Sequence, residues 1–198
     1  MAAFEQGDLA ANLGSVEGTL LTMQAAREQR DFVNGSPQAH LINAVEFCLI
    51  FNGDLSSALH AIERAEADWE RRFHVRVLVL VLHEATSGLG ALLGKKFRRI
   101  VKQLGVEADL AALHALHSEI VVFTREHYAE HNAIRTNAIA HRDGDSLAQI
   151  RSIRALNPEE IAEREWKMVG WLNRTYAFMM TFAASARQQS KDLGGAAT

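Results

Sequence analysis

The chain has 198 residues, of which 48% are hydrophobic and 23% are charged. A chain of this length can bury a sizeable core, so it needs neither a disulfide nor a structural metal to hold it together. The formal net charge of −3 excludes a general attraction to nucleic acid, and any RNA-binding surface must therefore be a local basic patch. Only two prolines occur, and this scarcity predicts an all-α protein.

The lone cysteine and the first residues bear on the cellular compartment. Cys48 lies in an apolar run, so we expect it to be buried and inert. The N-terminal residues include Glu5 and Asp8 and lack the basic-then-apolar order of a signal peptide. Residues 77–93 are the most apolar stretch, but they are interrupted by polar side chains and are too few to span a membrane. We therefore expect a cytoplasmic protein that makes no membrane contact.

The first two helices are indicated by local signals. The first is expected to begin near Asp8 and to run to about Asp31. Ser36 followed by Pro37 is typical of a helix start and predicts the beginning of the second. The Asn-Gly-Asp segment at residues 52–54 predicts a turn or a local break.

A third, long helix is predicted over residues 55–93. The valine-rich residues 75–82 could form a buried strand, but strong helix-forming segments flank them and no turn signal intervenes. Several side chains also fit helical spacing, namely Trp69, Phe73, Arg76, Val77 and Leu80. A short basic segment at residues 95–102 follows this helix.

The last two helices carry the motif and the clearest cap. One is predicted from about Asp109 to Ala140, and the other from Asn157 to about Gln189. Asn157 followed by Pro158 is a strong helix start. The final helix has an apolar surface wider than a single stripe, which predicts burial by two neighbours or a dimer interface.

These elements together predict an up-and-down helix bundle of four to five main helices. No repeat or linker divides the sequence, so we expect one domain over residues 1–191. A glycine-containing tail over residues 192–198 is expected to be disordered.

Histidines concentrate in one short region, at His114, His117, His127, His131 and His141. His127 and His131 are four residues apart and share a helical face, a spacing that can hold a metal. Glu126 or Glu130 could supply a third ligand. A metal-dependent bundle enzyme is therefore one alternative, and the other is that these are ordinary surface or core histidines.

Residues 132–143, with the sequence NAIRTNAIAHRD, close the predicted fourth helix and enter a loop. Five residues separate Arg135 from His141, within an Ala-His-Arg-Asp ending. This pattern resembles the signature of the HEPN superfamily (higher eukaryotes and prokaryotes nucleotide-binding), and most of all its abortive-infection U-type branch. The resemblance covers most of the chain in helix order, but only this segment in motif.

The resemblance implies a metal-independent endoribonuclease of the toxin or phage-defence type, without a cofactor. HEPN-like proteins are homodimers with motifs that meet in a cleft between protomers, and an antitoxin or other regulatory protein is a further expected partner. His141 would then be the acid or base, Arg135 the phosphate clamp, and Asn137 or Thr136 the orienting group. These roles suit the chemistry, because imidazole titrates near neutral pH and a guanidinium binds two phosphate oxygens at once.

One dense basic cluster could hold an RNA backbone, and it consists of Lys95, Lys96, Arg98, Arg99 and Lys102. Arg142, Arg151 and Arg154 flank the motif and could add to such a surface. The cluster could equally be a solvated connector whose charges favour the end of the preceding helix.

The motif also has a non-catalytic interpretation. Arg135 could pair with Glu130 or with a neighbouring helix, and His141 could cap the fourth helix. The protein would then be a HEPN-like bundle that binds RNA, a nucleotide or a partner protein. On an unbroken helix, six residues turn Arg135 and His141 about 120° apart. Convergence therefore requires that the helix loosens near residues 138–141, or that two subunits each contribute one side chain.

Overall fold

A computed structural model describes residues 6–28, 36–103, 110–136 and 146–195 of the chain. These described residues form helices without any strand, which confirms the all-α class. The helices in chain order are α1 (Gln6–Glu28), α2 (Pro37–Arg64), α3 (Asp68–Leu92), α4 (Lys95–Gln103), α5 (Leu110–Ala133), α6 (Ser146–Arg154) and α7 (Pro158–Gly195).

Two helix starts that the sequence predicts are confirmed, because their signals are local. The Ser36 hydroxyl accepts a hydrogen bond from the Ala39 backbone N–H at 3.1 Å. The Asn157 side chain accepts one from the Glu160 backbone N–H at 3.4 Å. Each cap is followed by proline as the first helical residue, where the missing N–H costs nothing.

The break expected at residues 52–54 is wrong, because α2 continues through them. Asn52 is only 3% exposed, and its side-chain amide donates a hydrogen bond to the side-chain oxygen of Asn173 on α7. A Cβ on Gly53 would lie 3.2 Å from a methyl carbon of Val16 on α1. These residues therefore serve close packing between helices rather than a turn.

The single helix expected over residues 55–93 is also wrong, because the chain breaks between α2 and α3. Ala65 adopts an extended backbone, and its carbonyl oxygen accepts a hydrogen bond from Arg71 at 3.0 Å. Arg71 also donates to Glu159 at the start of α7, at 3.0 Å. The valine-rich residues 75–82 are helical, as the sequence predicts.

The contacts of α3 with α5 show that these helices run antiparallel. The ring of His83 lies 6.1 Å from that of Tyr128, between centroids. Further along α3, the backbone of Gly90 forms a hydrogen bond with His117, which lies earlier on α5. Residue numbers therefore rise along one helix as they fall along the other.

α5 and α7 are antiparallel in the same way. Arg174 donates to Glu119 at 3.0 Å near one end, and His131 contacts Glu165 at 3.0 Å near the other. The long helices α2, α3, α5 and α7 thus alternate in direction. α1 packs on α2, while the short α4 and α6 lie at opposite ends.

α7 provides much of the core, with Met168, Leu172 and Met179 fully buried. It packs against α2, α3 and α5, which explains why its apolar surface exceeds one stripe. The helix continues to Gly195 and so includes the first residues of the expected 192–198 tail. The rest of that tail lies outside the described residues.

Cys48 is 1% exposed, and burial raises the pKa of its thiol to about 12, so it is buried and unreactive as expected. Among the described residues, no helix taken alone is long and apolar enough to cross a membrane. α3 and α4 together reach the length and apolar composition of a membrane span, but only as a pair of helices bent by 53°.

Candidate functional site

The sequence motif begins where regular α-helical geometry ends. α5 stops at Ala133, and residues 134–136 form a wider, π-type turn. Ile134 is 7% exposed and packs into the core, whereas Arg135 and Thr136 are half-buried. Wider turns of this kind often occur at functional sites. The directions expected for an unbroken α-helix therefore do not apply beyond Ala133.

The other motif residues, Asn137, His141 and Arg142, lie outside the described residues. An approach between Arg135 and His141 accordingly stays a prediction. The structure does describe the contacts between α5 and α7 that hold the helical turn just before Arg135.

A buried hydrogen bond between two side chains fixes the end of α5 on α7. The His131 Nε2 atom donates a hydrogen bond to the Glu165 Oε1 atom at 3.0 Å. The side chains are 2% and 0% exposed, so each depends on the other for compensation of its lost hydration. His131 lies one helical turn before Arg135, and the pair therefore anchors the turn that carries this guanidinium.

Arg164 connects this pair to the surface. Its Nε atom donates to Glu165 Oε1 at 2.7 Å, and its two terminal nitrogens donate to the two oxygens of Glu130 at 2.7 and 3.2 Å. Burial alone would lower the pKa of Arg164, but the two carboxylates more than offset it and raise the pKa. Glu130 therefore pairs with Arg164, whereas one interpretation of the sequence expected Arg135 as its partner.

His127 lies beside the same network. Its ring stacks on His131 with centroids 6.0 Å apart and lies 4.6 Å from the ring of Phe123. Burial, followed by the positive charge of Arg164, lowers the pKa of His127. This imidazole is accordingly neutral at neutral pH.

The predicted metal spacing gives a different arrangement. His127 and His131 do share a helical face, but Nε2 of His131 is bonded to Glu165. Glu126 lines a separate open groove beside Trp171. In the part of the chain that the structure describes, no group of three His, Cys, Asp or Glu side chains could hold a metal ion.

The basic α4 lies far from Arg135. One face of α4 is buried, and the exposed face presents Lys95, Lys96, Arg99 and Lys102. The half-buried Arg98 lies 3.3 Å from His114 of α5. Arg135 follows His114 by 21 positions, or about 32 Å along a helix. Within one chain, the structure therefore does not bring this cluster to the motif.

A second group of arginines surrounds the end of the bundle near Arg135. Arg72 of α3 donates to the backbone oxygens of Ile153, Arg154 and Leu156, and so joins the start of α3 to the end of α6. A hydrogen bond from Arg72, with charges that include Arg154, lowers the pKa of Asp68. The sequence does not reveal that the start of α3 meets the end of α6, because this contact depends on the fold.

Comparisons with known proteins identify no relative: no family model matches the sequence, and neither a curated protein nor a solved structure matches the chain.

Proposed function

We propose that this protein is a HEPN-like, metal-independent endoribonuclease that acts as a homodimer, with Arg135 and His141 in a cleft between protomers. The observation that carries the proposal is the position of Arg135. It is half-buried on the wide turn that ends α5, two residues before the segment that contains His141. A cytoplasmic toxin or phage-defence role, with an antitoxin or other regulatory protein as partner, belongs to the same proposal.

The proposed reaction needs only the chain's own groups. The imidazole of His141 takes the proton from an RNA 2′-hydroxyl, and that oxygen attacks the adjacent phosphorus. The bond from phosphorus to the 5′-oxygen breaks, and an imidazole of the second protomer protonates that oxygen. Arg135 stabilises the negative charge that develops on the phosphate, while Asn137 or Thr136 orients the phosphate group. The products carry a 2′,3′-cyclic phosphate and a 5′-hydroxyl.

The ion-pair network supports this assignment through preorganisation. A phosphate clamp is effective only if its position is fixed before the substrate binds. His131 and Glu165 anchor the turn just before Arg135 by a contact from which water is excluded. The π-type turn at residues 134–136 also departs from the regular α-helical spacing on which the separation of about 120° between Arg135 and His141 depends.

The test is cleavage of labelled RNA in excess chelator by the wild-type protein and by His141→Ala. We expect products that end in 2′,3′-cyclic phosphate, and a loss of at least about 100-fold in the variant. Cleavage that the chelator abolishes would instead support a metal enzyme built on His127 and His131. Tight RNA or protein association without cleavage would support the non-catalytic bundle.

A further inference from the structure

One face of α3 presents a row of aromatic and basic side chains that the bundle leaves partly uncovered. Its members recur at intervals of four and three residues, and we call them the α3 stripe: Trp69, Phe73, Arg76, Leu80 and His83. Trp69 and Phe73 are 51% and 50% exposed. The guanidinium carbon of Arg76 lies 5.5 Å from the centre of the Phe73 ring. Exposed aromatic side chains that form a contiguous patch are typical of interaction surfaces.

The stripe continues onto α5 through Tyr128, whose side chain is 54% exposed and lies against His83. This contact also sets the level of the stripe relative to the motif. Arg76 precedes His83 by seven residues, and Arg135 follows Tyr128 by seven on the antiparallel helix. Arg76 and Arg135 therefore each lie about 10 Å along the bundle from the contact between His83 and Tyr128, and in the same direction. The stripe and the motif consequently share one end of the molecule.

The charged side chains around the stripe are of both signs, in a chain with a net charge of −3. α6 carries two arginines and no acidic residue, and its last turn is joined to the start of α3 by Arg72. Besides Arg71 and Arg72, which pair with carboxylates, the arginines of residues 68–76 and of α6 are Arg76, Arg151 and Arg154. The acidic residues of this region are Asp68, which pairs with Arg72, and the exposed Glu66, Glu70 and Glu84. Glu159 of α7 is also close and pairs with Arg71.

We propose that the α3 stripe, together with Tyr128, is a platform on which the bases of single-stranded RNA stack. Exposed rings beside guanidinium groups are the arrangement that binds unpaired bases without sequence preference, with the cations holding the backbone. A duplex keeps its base faces stacked inside and cannot use these rings. The inference rests on the proposed function and deepens it, because it names unpaired RNA as the substrate class and extends the binding surface about 20 Å along α3.

A second copy of the chain is the competing occupant of this face. A two-fold interface brings each patch against its own copy. A second copy would present side chains of both signs to Arg76, Arg151 and Arg154, whereas an RNA backbone is uniformly negative. These cations therefore favour RNA over self-association on this face.

The experiment measures binding of the full chain to a fluorescent 2′-O-methyl oligonucleotide of about ten nucleotides, which cannot be cleaved because its 2′-oxygen is blocked. We expect Trp69→Ala and Phe73→Ala each to weaken binding about ten-fold, and Trp69→Phe to restore most of it. Ile50→Ala is the matched control, since Ile50 is an apolar side chain on α2 that is 48% exposed. It should bind as the wild type does. A hairpin duplex should bind more weakly than the single strand.

Three results would overturn the platform. The first is wild-type affinity in both alanine variants. The second is duplex binding as tight as single-strand binding. The third is conversion of a dimer into a monomer by Trp69→Ala, measured by light scattering, which would assign the face to self-association.

The two proposals fail in distinguishable ways, because the probe reports binding without cleavage. If the alanine variants weaken binding but the protein cleaves no RNA, the platform stands and the nuclease fails. If cleavage depends on His141 but Trp69→Ala and Phe73→Ala bind normally, the nuclease stands and the platform fails.

Discussion

Glu165 is a fully buried carboxylate whose partners are His131 on α5 and the neighbouring Arg164 on its own helix. Its Oε1 atom receives both hydrogen bonds, and its Oε2 atom accepts none from the described residues. A charge with so little solvation depends strongly on its few partners. The stability of the α5–α7 contact should therefore be sensitive to this one side chain.

We expect Glu165→Ala to lower the free energy of unfolding by about 3 kcal/mol, because it leaves His131 and Arg164 without their buried partner. Urea denaturation measures the change. Glu163→Ala is the matched control, since Glu163 is exposed on the same helix and its loss should cost no more than about 0.5 kcal/mol. Equal losses in the two variants would show that the buried pair contributes nothing special.

The pKa of His127 predicts how stability depends on pH. Burial, and then the charge of Arg164, lowers this pKa in the folded state, so the unfolded chain binds more protons in mild acid. The contribution of His127 to the free energy of unfolding is fully present above about pH 6.5, the pKa of histidine in the unfolded chain. This contribution declines as the pH falls below that value. Denaturation at a series of pH values should show a smaller acid-induced loss in His127→Gln than in the wild type.

The control for this pH series is His40→Gln on α2, which is not part of the α5–α7 network. It should keep the wild-type pH dependence more closely than His127→Gln does. If the stability of His127→Gln depended on pH as that of the wild type does, the lowered pKa of His127 would be contradicted.

At the scale of helices, the sequence predicts those features that depend on nearby residues. The caps at Ser36 and Asn157 are such features, because each satisfies backbone donors within three residues. The break at Ala65 depends on contacts from Arg71, so the helix-forming sequence does not reveal it. α6 was missed because nine residues give too short a pattern to distinguish from a loop.

The close approach of α2 to α3 explains why a glycine occurs at residue 88. A Cβ on Gly88 would lie 2.3 Å from the end of the Phe47 ring, whereas a Cβ on Gly90 would meet nothing within 4 Å. The two positions are otherwise similar, since both lie in the last turns of α3. They therefore form a matched pair for testing the packing.

Gly90→Ala should stabilise the protein by up to about 1 kcal/mol, because alanine favours the helix. Gly88→Ala should instead destabilise it by about 1–2 kcal/mol, because the Phe47 ring must move. Thermal and urea unfolding measure both changes. Phe47→Leu in the Gly88→Ala background should recover part of the loss, and the same sign for both glycine variants would contradict the close approach.

At the scale of the whole molecule, a local sequence pattern alone made Arg135 and His141 candidate site residues. It could not identify the anchor beneath Arg135, since Glu165 is thirty residues away and meets it only through the antiparallel packing of α5 and α7. It could not separate the two basic regions either. Arg98 of the α4 cluster contacts His114, near the start of α5, while the arginines of α3 and α6 lie at the opposite end of the bundle.

The proposed cleft requires a homodimer. We expect light scattering at micromolar concentration to give twice the mass of the chain, because two motifs must meet to supply two imidazoles. Arg135→Ala should keep this mass, since one half-buried side chain does not create the interface. A monomer across the whole concentration range would contradict the composite site.

The most direct test of the account compares Arg135→Ala with Arg125→Ala in metal-free RNA cleavage. Both arginines belong to the α5 segment, but Arg125 is exposed and precedes the anchored end of the helix. We expect Arg135→Ala to lower the cleavage rate by about 100-fold or more, and Arg125→Ala to change it by less than about three-fold. Equal rates in the two variants, with both folded, would contradict the assignment of the phosphate clamp to Arg135.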